Sequence, residues 1–76
     1  MMFAKKYKQI GLKIAYHRKL HGWTQEELAF KTGISSSYLS RIERGVCKKG
    51  MTLSVLLLIA NSLRLDPGEL VCYKDP

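Results

Sequence analysis

Cysteine is scarce in this chain. It has two, Cys47 and Cys72, in 76 residues, and two thiols do not make a disulfide framework. Both are expected to be free in a reducing cytosol. Cys47 has Lys48 and Lys49 beside it, neighbours that favour a thiolate. Long apolar runs are lacking too. The longest, Val55 to Ala60, falls far below the roughly 20 residues of a membrane span. The basic start MMFAKKYK is not followed by a signal-peptide hydrophobic region, so a cytoplasmic location is expected, with no membrane association. Acidic residues number six against thirteen Lys and Arg, a formal charge of +7. That balance favours polyanionic partners, nucleic acid before anionic membrane, although solubility alone is the plain alternative. There is no nucleophile–base pair, phosphate loop or metal-ligand cluster, so an enzyme is not expected. His17 and His21 lie four apart on a predicted helix, but no third ligand lies nearby in sequence. No metal, cofactor or small-molecule ligand is therefore predicted.

Alternating β-branched runs are also absent, and Gly and Pro fall at segment ends. These absences point to an all-α chain of one domain, 1–76. Helix one is predicted over Tyr7 to Leu20, with Ile10, Ile14 and His17 on one face and Gly22 after its end. Helix two starts at the Thr24 cap, with Glu27 completing a capping box. It ends at Gly33, with Leu28 and Ala29 inward. Helix three runs from about Ser36 to Arg44, capped by Ser35 and stopped by Gly45. Thr52 caps helix four, which runs to about Leu63 with an inward stripe of Leu53, Leu56, Ile59, Ala60 and Leu63. Asp66-Pro67-Gly68-Glu69 opens a short fifth helix through about Cys72. Helices four and five thus occupy about 52–72.

Helix three divides into two faces. Ile34, Leu39 and Ile42 project to one side, and Ser36, Ser37, Ser40 and Arg41 to another, at offsets of three and four. An anchored apolar back with a thin polar front suits a helix lying in the DNA major groove. Arginine is the side chain best fitted to bidentate contact with guanine. An ordinary solvated face has the same pattern.

The neighbouring segments narrow the choice. IGLKIAYHRKLHGWTQEELA, the turn KTGIS, the helix SSYLSRIERG and then LLLIANSLRLDPGEL together resemble the Cro/CI-type helix-turn-helix family, also called lambda-repressor-like or Xre-like. The resemblance runs from Ile10 to Leu70. It implies a five-helix lambda-repressor-like domain with the helix-turn-helix at about 24–45. It also implies roles. Ser36, Ser37 and Arg41 match base-reading positions. Gln25 matches a contact to DNA backbone or an outer base, and its place at a helix N-terminus suits phosphate. Ser40, Arg44, Lys48 and Lys49 follow as backbone or outer-base contacts. Tyr38 is expected at the core edge with its hydroxyl toward a phosphate. Arg18 and Glu43 match an ion pair that fixes the recognition helix against helix one. Leu28, Ala29, Ile34, Leu39 and Ile42 match core positions. Trp23 is expected to pack as a hydrophobic staple.

Some residues depart from that pattern. His17 stands where an aliphatic residue is usual, which suggests a satisfied core histidine. The loop after helix three is about two residues longer than the common version. Apolar residues exceed what one small core needs. Leu12, Tyr16 and Leu20 form a second stripe on helix one, which the N-terminal tail with Phe3 or a second subunit would cover. Val55 and Leu58 on helix four, with Val71 and Tyr73, make a candidate dimer interface. The expected function is sequence-specific binding of double-stranded DNA by a homodimeric repressor or regulator on an inverted repeat. The alternative is a protein-interaction module, such as an antitoxin or a coactivator bridge.

Overall fold

The computed structural model describes residues 4–47 and 51–71. Among them are five helices and no strand: α1 Ala4–Leu20, α2 Gln25–Thr32, α3 Ser36–Arg44, α4 Leu53–Ser62 and α5 Pro67–Val71. α1 begins three residues before the predicted Tyr7. The added turn holds Lys5 and Lys6, straight-chain residues that favour a helix and introduce no breaker. No helix among the described residues is long and apolar enough to cross a membrane.

Local hydrogen bonds set the helix ends. The Thr24 hydroxyl accepts from the Glu27 backbone N–H at 3.1 Å, while the Glu27 carboxylate accepts from the Thr24 N–H at 2.8 Å. Ser35 accepts from the Tyr38 N–H and Thr52 from the Val55 N–H. At α5, the Asp66 carboxylate accepts from the Gly68 N–H. These bonds satisfy donors that a helix start leaves open. α2 and α3 close on Gly33 and Gly45, at φ 77° and 72°, where a side chain is disfavoured.

The helices enclose one core. Ile14, Leu28, Leu39, Ile59, Leu63 and Leu70 have almost no exposed surface, and Ala29, Ile42, Leu56 and Ala60 complete the cluster. α3 packs on α1 and α2, α4 packs on α2, and α5 bridges α1 and α4. At the α1–α3 crossing there is no room for a methyl group. A Cβ on Gly11 would sit 2.5 Å from the Glu43 carbonyl oxygen. Ile10, Trp23 and Ile34 pack against the core while keeping some exposure.

Two expectations are corrected. Leu53, the first residue of α4, is 69% exposed and stands outside the core cluster. His17 is half-buried, with its ring edge-on to exposed Tyr16 at 5.3 Å. It is therefore a boundary residue; the next position, Arg18, is the buried one. Trp23 stacks on His21 with ring centres 4.3 Å apart, and the Lys31 ammonium lies 4.7 Å from the Trp23 ring. The His21 Nε2 is 3.0 Å from the Leu63 carbonyl. This stack ties the α1–α2 turn to the ends of α2 and α4.

Candidate nucleic-acid interface

The candidate interface is built on α3, whose Leu39 and Ile42 are buried in the core. With the back fixed, the helical period turns Ser36, Ser37 and Arg41 outward, and all three are exposed. Ser40 is half-buried at the margin of that face, and Arg44 is exposed one turn after it. The structure thus places the predicted reading residues on one accessible front. Tyr38 is half-buried and packs against the core. The Arg41 guanidinium carbon lies 5.8 Å from its ring centre. Lys48 and Lys49 lie outside the described residues.

A buried polar cluster holds α3 at its angle. Arg18 and Glu43 are only 8% and 7% exposed. The Arg18 Nε donates to one Glu43 oxygen at 2.7 Å and Nη2 to the other at 3.0 Å. Its remaining nitrogen, Nη1, donates to the Trp23 carbonyl at 2.7 Å. The Gln25 amide nitrogen donates to Glu43 Oε1 at 2.9 Å. One carboxylate on α3 is therefore gripped from α1 and from the first residue of α2. A buried ion pair is costly to desolvate, so its chief effect is orientation rather than net stability. The match to the family pattern located Arg18 and Glu43. The Gln25 bond, across 18 residues of sequence, carried no signal in the chain.

Gln25 retains a free amide hydrogen, since a primary amide has two and Glu43 takes one. It is half-buried at the start of α2, where open backbone N–H groups favour an anion. α1 and the end of α3 also approach closely. A Cβ on Gly45 would meet the Lys8 backbone at 2.7 Å. Lys8 and Arg44, both exposed, line one open hollow there with Leu12 and Glu43. Spacing did not single out Lys8, because its proximity depends on the helix crossing.

A fixed cationic helix presented beyond a tight turn defines a helix-turn-helix protein of the DNA-binding class, and the relatives and fold are those of regulators rather than enzymes. Residues 14–70 match the family described as Helix-turn-helix. The chain is 37% identical over 68 residues to the uncharacterized HTH-type transcriptional regulator y4dJ of Sinorhizobium fredii, covering 90% of this chain and 86% of that protein. It is 51% identical over 61 residues to the HTH-type transcriptional regulator SlrR of Bacillus subtilis, covering 80% of this chain but 40% of that longer protein. Among solved structures, the N-terminal DNA-binding domain of SinR from Bacillus subtilis superposes with a TM-score of 0.81 at 32% identity, over 91% of this chain and 99% of that one. The restriction-modification controller protein C.AhdI from Aeromonas hydrophila gives 0.79 at 33% identity, over 84% and 94%. The chain belongs to the Cro/CI-type, or Xre-like, helix-turn-helix family.

Proposed function

We propose that this protein is a sequence-specific transcriptional regulator, acting in the cytoplasm as a homodimeric repressor on an inverted-repeat operator. One observation carries the reading: Ser36, Ser37 and Arg41 stand exposed on a helix whose orientation is set by the buried Arg18–Glu43–Gln25 cluster. In this reading α3 enters the major groove. Arg41 reads a guanine, at about 1–3 kcal/mol of discrimination for a bidentate contact. Serines are short readers, so DNA shape contributes to the remaining specificity. Gln25, Ser40, Arg44, Tyr38, Lys48 and Lys49 contact backbone or outer bases. Phosphate contacts supply most of the affinity. Dimerisation through Val55, Leu58, Val71 and Tyr73 would place two recognition helices about one duplex turn, roughly 34 Å, apart. Leu58 and Val71 are exposed and Val55 is half-buried; Tyr73 lies outside the described residues.

Selection of bound sequences from a random DNA pool tests this directly. A palindromic consensus with a guanine in each half-site is expected. Recovery of sequences with no common motif would defeat the proposal.

A second reading, a protein-interaction module, has one observation in its favour. Phe30 on α2 is 88% exposed, a large apolar side chain open to a partner. Isolation with one stoichiometric protein partner, together with no detectable DNA binding, would favour it.

A further inference from the structure

We propose that Tyr38 is a positioning residue for Arg41, and that its ring, more than its hydroxyl, sets how strongly Arg41 discriminates guanine. The inference rests on the DNA-reading role of Arg41 proposed above and extends it to a residue that need not touch a base. The two side chains are three positions apart on α3, a spacing that stacks them on one helix face. Their mobilities differ. Tyr38 is half-buried and packs against the core cluster that includes Leu39 and Ile42, so the surrounding side chains hold its ring. Arg41 is exposed, and a free arginine in solvent samples many rotamers. Its guanidinium carbon lies 5.8 Å from the Tyr38 ring centre, within the range at which an aromatic face attracts a cation.

Guanidinium is planar and weakly hydrated, so it lies on an aromatic ring while its edge donors still point outward. Bidentate recognition of guanine needs that geometry, with two parallel donors held in one plane. A guanidinium already restrained by a core-anchored ring loses less freedom on meeting the base edge. The gain falls on the guanine contact, because a misaligned fork loses one of two hydrogen bonds there. A phosphate contact has no such demand for alignment. Tyr38 therefore acts on the ratio between bases at one position, not only on total affinity.

The test uses the full chain and a random-sequence duplex DNA library, reading base frequencies at each bound position for four proteins: the parent chain and three variants. Arg41→Ala loses the guanine preference at one position per half-site, identifying the base that Arg41 reads. Tyr38→Phe retains that preference, because the ring remains. Tyr38→Leu lowers it about two- to fivefold, the fold-change that an exposed cation–ring contact corresponds to. A base ratio is unaffected by any uniform loss of affinity or of folded protein. If Tyr38→Leu keeps the full preference while Arg41→Ala abolishes it, the inference is overturned and the role of Arg41 stands. If Arg41→Ala changes no position, that role has itself failed and the inference falls with it. A second measurement needs no variant and no DNA. Arg41 side-chain protons in the free protein should show an upfield ring-current shift in NMR spectra. Arg41 resonances at unstructured-peptide positions would overturn the proposal even if Tyr38→Leu does not fold.

Discussion

Arg18 is the residue on which most depends. Its guanidinium makes three hydrogen bonds, two to Glu43 and one to the Trp23 carbonyl. Arg18→Ala leaves a buried carboxylate with only the Gln25 amide, and breaking a buried pair costs about 3–5 kcal/mol. For a chain of this size that approaches the whole stability. Urea unfolding followed by helical circular dichroism should show a large fall in midpoint or no folded baseline. A well-folded variant with normal DNA binding would remove the orienting role. Gln25→Ala deletes one bond to a charged group and should cost about 1–2 kcal/mol in the same assay. A different residue is held in strain. Arg64 adopts φ 59° after the end of α4, in a left-handed conformation disfavoured for side chains. The Leu65 N–H then reaches back to the Ala60 carbonyl at 2.9 Å. Arg64→Gly should raise stability by about 0.5–1 kcal/mol, seen as a higher thermal midpoint. Neither the Gln25 bond nor the Arg64 conformation was legible in sequence. The first depends on partners far apart along the chain, and the second occupies a site where glycine is the usual signal.

The helix boundaries were the most legible feature, because capping signals act within one turn. Thr24, Ser35 and Thr52 all cap as their positions predict. The glycines that end helices are equally readable as stops, yet their surroundings differ in ways only packing reveals. A Cβ on Gly33 would have nothing within 4 Å, whereas one on Gly45 would face the Lys8 backbone at 2.7 Å. Gly33→Ala should therefore cost about 1 kcal/mol from backbone conformation alone. Gly45→Ala should cost clearly more, because α1 and α3 must also separate. Comparison of the two unfolding midpoints checks this; equal losses would mean that α1 and α3 yield to a methyl group at no cost. Helix four shows where periodicity fails. Its sequence LSVLLLIANS is nearly continuous in aliphatic residues, so the pattern does not distinguish inside from outside. Spacing groups Leu53 with Leu56 and Ile59, but Leu53 is exposed while the other two are buried.

For the whole molecule, charge and surplus apolar surface bear on the proposed association with DNA and with a second copy. With a charge of +7, DNA affinity should fall steeply with salt. Arg44→Ala should weaken binding to all sequences alike and reduce the salt slope by about one. A change in base preference instead would make Arg44 a reader. Of the proposed dimer face, Leu58 and Val71 keep large exposed areas, and Leu53 and Leu57 on α4 are exposed as well. Leu58→Glu should yield a folded monomer in sedimentation and weaken binding to the paired half-sites, because two linked contacts become one. An unchanged dimer would move the interface elsewhere.

From its sequence alone, this chain is all-helical, with its elements bounded by caps and with Ser36, Ser37 and Arg41 on one polar face of helix three; their proposed role as readers came from the family resemblance. The helices, caps and face follow from interactions among residues three or four apart. The tertiary structure decided which aliphatic residues enter the core, how closely α1 crosses α3 at Gly11, and that Gln25 and Arg18 share Glu43. The physical reason is range. Caps and helical faces are local, while burial and shared polar partners depend on crossing angles that no single helix contains.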